Sequence, residues 1–298
     1  MATGVLSDVF LPLAIVLIMI AMGMTLTAED FRRLKQQKAA VLTGLTSQLL
    51  LLPLLGFAVA WLFGLSTVFA LGMVLLVASP GGSTSNLIVH VSNADRALSL
   101  TLTALSNVAV FVSMPLLLSL GQRAFGSLDG DAAVPVGDLV VQIAALTVVP
   151  IVIGMSIARR APDFAARLEE PAKRVATIVF LVIVTLLVIQ NWSAITSDAP
   201  EFGPAFVTLN LLALAAGTLL AFGVGLPPRE ATTIGIETGI QNSTLSIAIA
   251  LSVFDSDELA IVPGLYGLWM LFTGFAFAFF MRSRFNTASS SIPVGSSA

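Results

Sequence analysis

Nine runs of mostly apolar residues follow one another along this chain, at about 9–26, 38–63, 66–91, 95–120, 138–158, 173–192, 203–225, 228–252 and 257–281. A helix of about 20 such residues crosses the hydrocarbon of a bilayer. Backbone polar groups there must be satisfied within the segment, so the expected fold is an all-α membrane protein with nine transmembrane helices. Composition points the same way. Of the 298 residues, 57% are hydrophobic and only 10% are charged, whereas a soluble domain carries roughly 25% charged residues. The stretch before the first run, Met1 to Asp8, has no Lys or Arg, so that run reads as a retained helix rather than a secretory signal. With no cysteine there is neither a disulfide framework nor a thiolate metal site. No basic cluster with interleaved aromatics suggests nucleic acid as a partner.

Lys and Arg concentrate on the cytoplasmic side of membrane proteins. Arg32, Arg33, Lys35 and Lys38 lie between runs 1 and 2, and Arg96 between 3 and 4. Arg159, Arg160, Arg167, Lys173 and Arg174 lie between 5 and 6, Arg229 between 7 and 8, and Arg282 and Arg284 after 9. These alternate loops hold 13 of the 14 basic residues, Arg123 being the exception. The N-terminus is therefore expected outside and the C-terminus in the cytoplasm, with a cell (inner) membrane as the location. The transmembrane domain is expected over 1–286. The polar tail, Ser-rich from Ser283, is expected to end in a disordered segment, 287–298.

Runs 3 and 8 differ from the others in having polar residues and glycines in their middles. Helices 1–4 and 6–9 form matched sets, each interrupted in its third member, and helix 5 between them inverts the second set. Paired interruptions of this kind mark an inverted-repeat transporter, with its site near mid-bilayer.

The first interruption reads Ser79-Pro80-Gly81-Gly82-Ser83-Thr84-Ser85-Asn86. Proline removes a donor and disfavours helix just before it, and glycine permits unwound backbone. A half-helix starting near Ser83 would offer free N–H groups to an anion. A plain proline kink is the simpler reading, but it leaves the polar run Ser83 to Asn86 unexplained. The second interruption reads Glu237-Thr238-Gly239-Ile240-Gln241-Asn242-Ser243-Thr244. Glu237 is the only one of 17 acidic residues deep in a run. A charge there costs roughly 2.5–3.5 kcal/mol. No Lys or Arg lies deep inside any run, all of them standing at or beyond the run ends, so its partner is a cation or a proton. A protonated, hydrogen-bonded structural glutamate is the alternative. Gln48 in run 2, and Ser99, Thr103 and Asn107 at four-residue spacing in run 4, add neutral oxygens suited to a hard cation. His90 stands alone and reads as packing or a polar contact rather than a metal ligand.

Together these segments resemble the bile acid:sodium symporter family. The residues that carry the resemblance are Gly23-Met24-Thr25-Leu26, Gln48 with Pro53, Pro80 to Asn86, Ser99 and Thr103, Glu237 with Gly239-Ile240-Gln241-Asn242-Ser243, and Pro263-Gly264 with Trp269. The match runs in order over nearly the whole chain. The resemblance implies two crossing discontinuous helices, 3 and 8. It also implies a core domain of helices 2, 3, 4, 7, 8 and 9 rocking against a panel of helices 1, 5 and 6. This would be a nine-helix member, whereas bacterial members often have ten.

By resemblance, two sodium ions bind. The first site uses Ser85, Asn86, Ser99, Thr103 and Glu237. The second uses Gln48, Glu237 and Gln241 with the carbonyls of Thr238 and Ile240. Substrate lies near Ser83, Thr84 and Asn242. Some bile-acid-binding relatives carry a polar His-Asn pair after the helix-9 tryptophan, where this chain has Met270 and Leu271. Pantothenate and small keto acids are thus as fitting as a bile acid. The expected function is sodium symport of a small organic anion by a monomer, with no enzymatic activity. The alternatives are a polytopic membrane enzyme, which would need a nucleophile–base pair or metal triad, and a sodium-independent anion channel or facilitator, which would favour charged rings.

Overall fold

The computed structural model describes residues 16–17, 19–21, 23–24, 37–128 and 136–290. Among them every regular element is helical. The elements are α1 (Lys38–Leu62), α2 (Thr67–Ala78), α3 (Ser83–Val91) and α4 (Arg96–Phe125). Next comes α5, which runs from Val136–Ile143 through Ala144–Val148 into Val149–Arg160. Then follow α6 (Pro162–Gln190), α7 (Trp192–Gly223), α8 (Pro228–Gly239), α9 (Ser243–Ser252) and α10 (Asp257–Ser290). Five helices are long and apolar enough to cross a bilayer, and six when the bent pair α2–α3 is taken as one span. The described residues thus form an all-helical membrane protein. The first expected run, 9–26, lies mostly outside them; its described residues are helical and Met19 is buried.

Proline shapes two helices in the same way. In α1 the turn Ser47–Leu51 is a π-helix, followed at once by Leu52-Pro53. In α5 the π-helix Ala144–Val148 is followed by Val149-Pro150. A proline cannot donate to the preceding turn and its ring crowds that turn's carbonyl, and a widened turn relieves both. In α1 the widened turn buries two neighbours, Ser47 and Gln48.

The helices α2, α4, α7, α8, α9 and α10 pack on one another and on α1. Helices α5 and α6 are more peripheral, with Val141, Val149, Val152, Val175, Ile178 and Ile189 exposed, as lipid-facing residues are. The first segment lies against α5 at a close approach. A side chain at Gly23 would strike the Ile151 backbone, and one at Gly154 would strike Ile20 and Met24. Small residues let membrane helices approach this closely.

Three helices outrun their apolar runs. Helix α6 begins at Pro162 and α7 at Trp192, not at 173 and 203. Hydropathy registers only the part within hydrocarbon, while good helix formers such as Ala, Arg, Leu and Glu carry α6 beyond it. The early turns of α7 have a role: Glu201 Oε1 accepts the N–H of Ser66, the N-cap of α2, at 2.5 Å. Helix α10 extends to Ser290, so the start of the tail assigned at 287 falls within a helix; 291–298 lie outside the described residues.

The polar end of the bundle is tied by Asp95, the N-cap of α4. Its Oδ1 accepts from the N–H groups of Ala97 and Leu98 at 2.9 and 3.0 Å. Its Oδ2 accepts from Gln37 Nε2 (3.2 Å), and its own N–H donates to Thr233 Oγ1 of α8 (2.9 Å). Replacing Asp95 by Ala removes the cap and should cost about 1 kcal/mol of stability. A lowered melting temperature in detergent checks this, and an unchanged one refutes it.

Candidate cation site at two helix breaks

Two interruptions meet inside the bundle. Helix α2 ends at Ala78, and Ser79 is extended (ψ 150°) ahead of Pro80, as a residue before proline prefers. Helix α3 restarts at Ser83, bent 64° from α2. Helix α8 ends at Gly239, Ile240 is extended, and α9 restarts at Ser243. The Asn242 N–H donates to Pro80 O at 2.9 Å, joining one break to the other. A second tie is the Ser79–Ser246 hydroxyl pair at 2.7 Å.

Glu237, in the last turns of α8, is 2% exposed and is the only buried charged side chain among the described residues. Ser99 Oγ of α4 lies 2.6 Å from its Oε1, and Thr103 Oγ1 donates to its Oε2 at 3.1 Å. Ser99 Oγ is also 2.6 Å from Asn86 Oδ1 of α3. A serine hydroxyl carries one proton, so it cannot donate to both oxygens at once. Asn86 Nδ2 meets Thr103 Oγ1 (3.4 Å) and Gly82 O (3.2 Å). Ser85, fully buried, donates to the same Gly82 carbonyl at 2.8 Å. The residues expected at the first site are thus gathered from α3, α4 and α8.

Those expected at the second site also meet. Gln48 Nε2 donates to Gln241 Oε1 (3.0 Å) and Ser79 O (3.3 Å). Turned over, the same amide donates to Glu237 O (3.0 Å) and accepts from Gly81 N–H (3.2 Å). Gln241 Nε2 donates to the carbonyls of Thr238 (2.8 Å) and Glu237 (3.2 Å). Ile240 is fully buried. Gly81 lets the breaks close on each other, since a Cβ there would collide with Glu237 Oε2. Of the residues expected near substrate, Ser83 is exposed, and Thr84 and Asn242 are half-buried. Gly82, next to Ser83, faces Asn242, whose Oδ1 accepts from Leu245 N–H at 3.1 Å.

Two residues from the sequence reading stand apart. Asn107 is buried but donates to Thr103 O of its own helix (2.7 Å) and bonds neither break. His90 is exposed at the end of α3, and the described residues hold no His, Cys, Asp and Glu cluster fit for a metal ion. Other contacts went unread: the Ser47–Thr238 hydroxyl pair at 2.8 Å, and a polar group around Asn210 and Tyr266. Asn210 and Thr273 are polar residues within apolar runs, and that was the available signal.

One buried carboxylate, ringed by hydroxyl, amide and carbonyl oxygens at paired breaks in a membrane bundle, defines a transporter-type site. The model of the Sodium Bile acid symporter family matches residues 12–198, and the chain belongs to that family. The family is one of transporters, not enzymes. Its relatives include the probable sodium/metabolite cotransporter BASS2, chloroplastic, of Oryza sativa subsp. japonica, 28% identical over 95% of this chain and 66% of the relative. The sodium-dependent transporter YocS of Bacillus subtilis (strain 168) is 27% identical over 87% of this chain and 78% of its own length. The ileal sodium/bile acid cotransporter of Homo sapiens is 26% identical over 92% and 80%. The chain spans only 66% and 59% of the two rice cotransporters, BASS2 and BASS1.

Gly81→Ala should displace the Glu237 carboxylate while leaving the bundle folded. Any stabilisation of the purified protein by sodium should then fall at least several-fold in apparent affinity; an unaltered sodium titration would contradict the geometry.

Proposed function

We propose that this chain is a sodium-coupled symporter that imports a small organic anion by alternating access. The observation that carries the reading is Ser99 Oγ, held 2.6 Å from both Glu237 Oε1 and Asn86 Oδ1 with one proton to share. A cation among these oxygens turns a crowded set of acceptors into a coordination shell. Neutral oxygens with a single carboxylate suit a hard ion of low charge. The names of the rice, Bacillus and human relatives, all sodium-dependent transporters or cotransporters, support sodium as that ion.

Two ions fit the two oxygen sets. Ser85, Asn86, Ser99, Thr103 and Glu237 would hold the first. Gln48, Glu237, Gln241 and the carbonyls of Thr238 and Ile240 would hold the second. Glu237 belongs to both, which couples them. The anion would lie by the exposed start of α3 and the break before α9, near Ser83, Thr84 and Asn242. The start of α3 supports this, because helix N-termini attract negative charge. A bile acid-like molecule, pantothenate and a keto acid all meet that requirement.

In this reading the protein is a monomer of nine spans in an inverted repeat, with discontinuous spans 3 and 8. The N-terminus is outside and the C-terminus in the cytoplasm of a cell (inner) membrane. Spans 2, 3, 4, 7, 8 and 9 form the core, and spans 1, 5 and 6 the panel. The peripheral, lipid-facing character of α5 and α6 supports that division. Two sodium ions with one monovalent anion carry a net charge of +1. The membrane potential then supplies about 2.3 kcal/mol per 100 mV, enough for roughly fifty-fold accumulation.

Two measurements test this. Glu237→Ala should abolish uptake that depends on sodium, and retained uptake at wild-type rate would dismiss the shared ligand. A thermal-shift screen of purified protein against bile acids, pantothenate and keto acids should give a hit only with sodium present. A hit of equal size in sodium-free buffer would instead indicate an uncoupled carrier.

A further inference from the structure

The last carbonyls of a helix have no partner within it, and in an apolar interior each one left bare is costly. Gly239, at the end of α8, has such a carbonyl. Tyr266 of α10, the chain's only tyrosine, donates its hydroxyl to Gly239 O at 2.7 Å. Asn210 of α7 donates Nδ2 to the same oxygen at 2.9 Å and reaches the Tyr266 hydroxyl at 3.1 Å. Thr273 of α10 donates to Asn210 Oδ1 at 2.6 Å, which sets the amide's orientation. Asn210 and Tyr266 are both fully buried. The other end of the same peptide plane is also held, since Ile240 N–H donates to Ile236 O at 2.9 Å.

We infer that Tyr266, Asn210 and Thr273 form a positioning network for the cation site, holding the Gly239–Ile240 peptide so that the flanking Thr238 and Ile240 carbonyls are set for an ion. The network touches no ion itself. It draws the Gly239 carbonyl toward α7 and α10, away from competition for the ion, and removes the freedom that an unwound segment would otherwise have to lose on binding. Preorganisation of this kind appears as affinity. The inference rests on the proposed sodium coupling.

The test is sodium titration of the purified protein, read as melting temperature, for the wild type, Tyr266→Phe, Thr273→Val and Thr273→Ser. Tyr266→Phe should raise the sodium concentration of half-maximal stabilisation about fivefold, the worth of one typical hydrogen bond. Thr273→Val should shift it in the same direction, and Thr273→Ser, which keeps the hydroxyl, should restore it. Thr67→Val serves as the control. It removes a bond of similar length, Thr67 Oγ1 to Phe125 O at 2.7 Å, at the opposite end of α2 from its break. It should lower the sodium-free melting temperature without moving the half-point. A half-point unmoved in both Tyr266→Phe and Thr273→Val, or moved equally by Thr67→Val, overturns the inference alone. A wild type insensitive to sodium overturns the functional reading as well.

Discussion

The burial of the Glu237 carboxylate governs the rest of this structure. No Lys or Arg is buried among the described residues, so the group must be answered by dipoles and hydroxyl protons, by a cation, or by a proton of its own. The hydroxyls that bond it stand on the continuous helix α4. Free backbone groups cannot come from such a helix, whose own bonds consume them; they come from places where helices stop. The breaks at 79–82 and 240–242 release carbonyls and N–H groups, and α4 supplies hydroxyls from one face. The Asn242–Pro80 bond holds the breaks together. Gly81 leaves the space that the carboxylate occupies.

The same logic reaches outward from the site. In the π turn before Pro53 two consecutive residues face inward, Ser47 toward Thr238 and Gln48 toward Gln241. On the other side of α8, Asn210 and Tyr266 satisfy the carbonyl that ends the helix. Several of the polar groups exposed by unwinding thus have a neighbour on another helix. Such pairing lets irregular backbone exist within a membrane bundle.

How much of this the sequence disclosed depends on whether a feature is local. Proline and glycine at 80–82, and glycine at 239, act on their own backbone, so both interruptions could be read directly. The spacing of Ser99 and Thr103 placed two hydroxyls on one face. Tyr266, an aromatic in an apolar run, carries no local signal, because its partners Gly239 and Asn210 lie 27 and 56 residues away on other helices. Asn107 had the right spacing and still missed the breaks, turning to its own helix as short polar side chains often do. The polar flanks of α6 and α7 and the helical end of α10 were hidden because hydropathy reports hydrocarbon, not helix.

Residue chemistry and spacing alone determined that this chain must enter a membrane, that two of its apolar runs must be interrupted, and that one acid within them needs a cation or a proton. Each is a property of a short stretch of chain and its solvent. Only the tertiary structure decided which oxygens surround that acid, that the two breaks touch, and that a tyrosine and an asparagine from other helices hold the backbone between them. These are distances between residues far apart in sequence, set by how whole helices pack, and no local pattern encodes them.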